Sequence, residues 1–157
     1  MTEPLHPGIA PLAFLVGTWS GEGAGEFPTI EPFRYGETLT FSHLGGPFLV
    51  SNQRTRDPSS GRPLHTETGY WRLVEPDRVE LVLAQPTGIA EVHDGVLTAT
   101  TVRLRSTAIA RTGSAKDMTA VERDLVVDGD VLHATLRMAA VGVPLTHHLG
   151  AELHRVG

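Results

Sequence analysis

The side chains best suited to chemistry lie near the C-terminus, in PLTHHLGAELHRV, where His147 and His148 are adjacent. Neighbouring strand residues face opposite ways, so only one of the two can look into an interior. A neutral imidazole turned inward can ligate a transition metal or a haem iron. The ordinary alternative is a surface pair at the start of a strand. Met138 lies on the preceding strand, and His65 and Gln85 sit on strands that could line the same space. Their ordinary roles are core filler for Met138 and exposed strand positions for His65 and Gln85. Lys116 is the only lysine in the chain and lies in the loop Gly113-Ser114-Ala115-Lys116. Such a lysine is either solvated or paired with an anionic group such as a haem propionate. Other catalytic arrangements are thin. Ser51, Ser106 and Ser114 have no nucleophile elbow around them, and neither HExxH nor a zinc-type spacing occurs.

These residues need a scaffold, and its clearest piece is Gly17–Ile30, GTWSGEGAGEFPTI. At a period of two, one face carries Gly17, Trp19, Gly21, Gly23, Gly25 and Phe27, and the other is mostly polar. Glycine within a strand costs about 0.5–1 kcal/mol relative to Ala, so a bend or a close approach must justify the row. A phosphate-cradling loop is excluded, because Glu26 stands where a third glycine is required. The reading is a tightly bent barrel strand with Trp19 on the core floor.

Further strands are expected at 33–43, 48–56, 64–74, 78–85, 89–93, 96–105, 107–112, 118–127, 131–140 and 144–156, with Pro28 to Pro32 breaking the chain after the glycine strand. Asp94-Gly95 and Asp128-Gly129 read as two-residue hairpin turns. Leu12, Phe14, Leu15 and Val16 should plug one end. About ten strands with frequent turns and no ordinary helix indicate an antiparallel sheet. Sequential hairpins favour an all-β, ten-stranded, antiparallel up-and-down barrel. Such a barrel exceeds the roughly eight strands whose side chains just fill the interior, so a cavity is expected.

The 157 residues read as a single domain, 1–157, with 40% hydrophobic and 20% charged residues. The absence of cysteine excludes disulfides and thiolate sites. A net charge of −5 with dispersed Arg argues against nucleic acid, and no apolar run is long enough for a membrane helix. The N-terminus lacks the features of a secretory signal, so a cytoplasmic location is expected.

Several motifs in combination resemble the nitrobindin family, bacterial type. Gly17-Thr18-Trp19-Ser20-Gly21-Glu22-Gly23 is similar to its GxWxGxG signature, and Pro28-Thr29-Ile30 to the PTI that follows. LHTETGY (64–70), LAQPTGIAEVHDG (83–95), SAK (114–116) and MAAVGVPLTHHL (138–149) are similar to its later blocks. The resemblance runs from about His6 to Val156 and implies a barrel similar to fatty-acid-binding and lipocalin-type proteins, with haem b at its mouth. It also implies a ferric haem protein that isomerises peroxynitrite to nitrate and binds nitric oxide. The implied iron ligand is His148, one haem per chain. Thr29 and Lys116 are implied at the haem, and Leu64, His65, Gln85 and Met138 as pocket lining. A homodimer is compatible with this reading.

Strict alternation through Leu145, Leu149, Ala151 and Leu153 would instead turn His147 inward, unless a bulge shifts the phase. Two other functions compete: a non-enzymatic carrier of an apolar ligand, and a haem-based nitric oxide carrier or sensor. Fatty-acid carriers hold the carboxylate with buried Arg, and no Arg interrupts the inward face of Arg78–Gln85.

Overall fold

The computed structural model describes residues 3–157. A 3₁₀ helix, Pro7–Leu15, leads into ten strands: β1 (Gly17–Phe27), β2 (Ile30–Ser42), β3 (Leu49–Arg56), β4 (Pro63–Glu75), β5 (Arg78–Gln85), β6 (Ile89–Thr98), β7 (Thr101–Arg111), β8 (Met118–Asp128), β9 (Val131–Ala140) and β10 (Val143–Arg155). Each strand pairs antiparallel with its sequence neighbours, and β1 pairs with β10, which closes the barrel. Closure pairs every strand on both sides, although β7 and β8 pair only from Thr101 to Arg105 and separate toward the mouth. Among the described residues no helix is long and apolar enough to cross a membrane.

The 3₁₀ helix stops one end. Ile9, Leu12 and Leu15 are fully buried against Trp19, Phe41, Leu49, Trp71, Leu132 and Leu153. Trp19 is wholly enclosed and donates its indole N–H to the Leu15 carbonyl at 2.9 Å. The last carbonyls of a helix lack intrahelical donors, and here Arg155 supplies one of those needed. Its guanidinium reaches the Phe14 carbonyl at 2.8 Å and lies 4.1 Å over the Trp19 ring.

The glycine row has a packing cause. A β-carbon at Gly23 would run into the Tyr35 ring, and one at Gly25 into the Phe33 ring. β2 pairs Gly23 with Tyr35 and Gly25 with Phe33, so each ring lies across the glycine opposite it. The strand gives up side chains so that β2 can lay two aromatic rings along the inner wall.

Three expected boundaries differ. Asp94-Gly95 is not a turn; it lies within β6, and the hairpin falls at Ala99-Thr100, where Ala99 adopts φ 52°. Gly95 is required there because a β-carbon would meet the Leu104 side chain at 2.6 Å. The segments expected at 96–105 and 107–112 are divided differently: 96–98 end β6, and the remainder forms β7, whose pairing with β6 shifts between Val92 and His93. β2 begins at Ile30, so Pro32 lies inside it. It falls opposite the register shift between Gly25 and Phe27, where the ladder asks no N–H of it.

Candidate haem pocket

The end of the barrel away from the 3₁₀ helix is open. Its cavity has a volume of about 840 Å³, within the range of cofactor and ligand sites. The seven residues singled out in the sequence, Thr29, Leu64, His65, Gln85, Lys116, Met138 and His148, all line it. Each comes from a different place. Thr29 sits in the β1–β2 turn and Lys116 in the β7–β8 loop, both exposed at the rim. Leu64 and His65 open β4, Gln85 ends β5, and Met138 and His148 lie on β9 and β10.

The phase conflict at the histidines is answered by a bulge. β10 pairs His147 with Arg137 and Leu149 with Leu136, leaving His148 as the extra residue. The shift sends His148 into the cavity and leaves His147 exposed. The His148 ring is held on three sides. Its Nδ1 donates to the Glu26 carbonyl at 3.0 Å, and Phe27 and Phe33 meet it edge-on with centroids 5.5 and 6.3 Å away. A carbonyl only accepts, so Nδ1 carries the proton, and Nε2 of the neutral ring keeps its lone pair. Burial lowers the pKa of His148, the Glu26 carbonyl works against that, and the nearby His147 and His65 add to it. A neutral imidazole fixed through one nitrogen is how a protein presents the other to a metal.

The wall around His148 includes Phe27, Phe33, Leu64, Ile89, Met118 and Met138, and the lining also carries the cations Arg34, Arg62 and Lys116 together with Asp57 and Asp117. This donor set suits a flat, largely apolar group with an anionic edge. The chain matches, over residues 8–155, the family described as "THAP4-like, heme-binding beta-barrel domain". It belongs to that haem-binding barrel family.

Relatives and a solved member agree with the assignment. "Peroxynitrite isomerase 2" of Mycobacterium ulcerans is 52% identical over 159 residues, covering 99% of each chain. "Peroxynitrite isomerase" of Nocardia farcinica is 55% identical over 155 residues, covering 96% of this chain and 92% of the relative. The crystal structure of Rv2717c from M. tuberculosis superposes with a TM-score of 0.92 at 45% identity, covering 98% of this chain and all of that one. The nitrobindin resemblance and the closed antiparallel barrel are thereby borne out.

Sequence reasoning missed a layer of charge beneath this haem-family pocket. Arg123, inward on β8 and 15% exposed, bonds two carboxylates at once. It reaches Glu67 at 2.7 and 3.3 Å and Glu91 at 3.0 and 3.1 Å. Glu91 also accepts from Gln85 Nε2 and, at 2.7 Å, from His93 Nε2. His65 Nε2 lies 3.9 Å from Glu67. Burial opposes ionisation of Glu91, but Arg123 and His93 overcome it and hold the carboxyl down at about 2. Burial likewise opposes the Arg123 charge, and its two carboxylates more than restore it. A signal existed in the alternation of β6, where Glu91 and His93 share the inward face with Ile89 and Leu97. The barrel therefore does contain an inward Arg, but its fork is already taken by two carboxylates.

Proposed function

We propose that this chain binds one haem b at the barrel mouth through His148 and isomerises peroxynitrite to nitrate, with nitric oxide as a second small ligand of the same site. The observation that carries the reading is the bulged His148 lining the cavity, its Nδ1 tied to the Glu26 carbonyl and its other nitrogen without a hydrogen-bond partner. The residues present fit the group: an imidazole donor, an aromatic and aliphatic wall, and cations at the rim. Haem held there would supply a Lewis-acidic iron for an anionic substrate.

The chain does the rest. The Glu26 carbonyl, Phe27 and Phe33 fix the angle of the His148 ring. Lys116 and Thr29 stand at the rim to take the propionates. Leu64, Ile89 and Met138 restrict water, and His65 is a polar group on the same wall. The names of the curated relatives support the reaction. The carrier alternative loses support, because an incoming fatty-acid carboxylate would find Arg123 occupied and two glutamates beside it.

Titration of the iron-free protein with hemin should give a sharp Soret band that His148→Ala abolishes while far-ultraviolet circular dichroism is unchanged. Absence of the band in the wild type overturns the reading. Stopped-flow decay of peroxynitrite with nitrate analysis tests turnover. A nitrate yield no better than the uncatalysed control removes the isomerase and leaves a nitric oxide carrier or sensor.

A further inference from the structure

Below the mouth the barrel narrows to a second chamber of about 80 Å³, whose polar lining includes Tyr35, Glu37, Gln53, Glu67 and Arg123. At the roughly 30 Å³ that a water occupies in the liquid, it has room for about two or three waters. Tyr35, Gln53, Glu67 and Arg123 line the mouth as well, so the chamber opens upward. Three inward carboxylates, Glu37, Glu67 and Glu91, here face a single guanidinium, and all three are more than nine-tenths buried. The Glu67–Arg123–Glu91 clamp keeps one negative charge when fully paired. His93 Nε2 donates to Glu91 from the inner side of this cluster, and its Nδ1 is buried without a partner.

We propose that this acidic layer sets the oxidation state of haem bound above it, the clamp favouring the ferric form and Glu37 making that preference depend on pH. The inference rests on the haem reading given above. Ferric haem carries one more positive charge than ferrous haem, so buried negative charge nearby lowers the reduction potential, and an enclosed site screens it little.

Glu37 is the variable member. It has no bond to Arg123; its partner is Gln53 Nε2 at 3.4 Å. The groups facing it are few. β1 places Gly21 opposite it and β3 places Thr55. Tyr35 precedes it on β2, Glu67 and Arg123 face it from β4 and β8, and β9 and β10 add Thr135, Leu136 and Leu149 to the same chamber. Burial pushes the Glu37 carboxyl up to about 7, with Glu67 adding to the rise and Gln53 and Arg123 opposing it. Raising the pH through that value adds one negative charge to the layer, which lowers the potential further.

Spectroelectrochemical titration of the haem-loaded protein tests this. The midpoint potential of the wild type should fall as pH rises through 7. Glu37→Gln should lose that slope and hold the wild-type low-pH value throughout. Redox-difference infrared spectra of the wild type near pH 7 should show a buried carboxylic acid C=O band that grows on reduction, a readout that needs no variant. Equal slopes in wild type and Glu37→Gln, or no carboxylic acid band, overturn the inference while leaving haem binding intact. A slope lost instead in His65→Gln also overturns it, since the proton then sits on His65. Failure of hemin to bind the wild type overturns the haem reading and this inference with it.

Discussion

The two ends of the barrel use the same strands to opposite effect. At the closed end β1, β2, β4, β6, β8 and β10 present Trp19, Phe41, Trp71, Leu97, Val127 and Leu153, all buried in one cluster with the apolar residues of the 3₁₀ helix. Toward the mouth those strands present glycines and Phe27, then Glu37 and Tyr35, Glu67 and His65, Glu91, Arg123 and His148. Apolar burial and interdigitation stabilise the first set. The second set carries polar groups that burial penalises unless each has a partner, and a ring held without a full packing shell. The stable end allows the costly end. A cavity and a buried ion cluster can persist at the mouth because closure of the sheet and the plugged floor secure the strands that carry them.

Changes at each end should therefore separate stability from binding. Trp19→Ala removes the largest floor side chain and its bond to Leu15, and should cost about 3–5 kcal/mol in urea unfolding. Under conditions where the variant stays folded, its hemin affinity should be near that of the wild type. A comparable loss of affinity would show that the two ends are not independent.

The charged layer should appear in the pH dependence of stability. Glu37 keeps its proton to about 7 in the fold against an ordinary 4.5, so its contribution is fully present below pH 4.5 and is lost as pH rises through 7. The shift corresponds to roughly 3 kcal/mol across that window. Glu91, held down at about 2, has the opposite sign: its contribution is present above pH 4.5 and is lost as pH falls through 2. Denaturant midpoints across pH should decline on both sides, and Glu37→Gln should flatten the upper limb only. An unchanged upper limb would remove Glu37 as its source.

Smaller effects sharpen the boundary. Gly25→Ala drives a β-carbon into Phe33, the ring beside His148, and should cost about 1–3 kcal/mol while weakening hemin binding. Isothermal titration reads the affinity and urea unfolding the stability. Lys116→Ala, an exposed loop change, should leave stability within about 0.5 kcal/mol and raise the hemin dissociation constant several-fold. No change in that constant would take Lys116 out of the site.

Much of this was legible from residue order alone. The period-two pattern, turn residues at short intervals and the absence of a helical run specify an antiparallel barrel, because alternation is a property of the extended backbone itself. The glycine row announced a close approach, and the family motifs marked the residues that line the cavity. Tertiary structure decided what depends on partners distant in the chain. Whether His147 or His148 looks inward turns on one extra residue in the pairing of β10 with β9, which local alternation cannot register. Asp94-Gly95 reads as a turn until Leu104 is seen lying over Gly95. Glu37, Glu67, Glu91 and Arg123 look like ordinary strand charges until closure of the sheet brings β2, β4, β6 and β8 around one space. Charge is local in a sequence, whereas its cost and its compensation are set by what the fold places within a few ångströms of it.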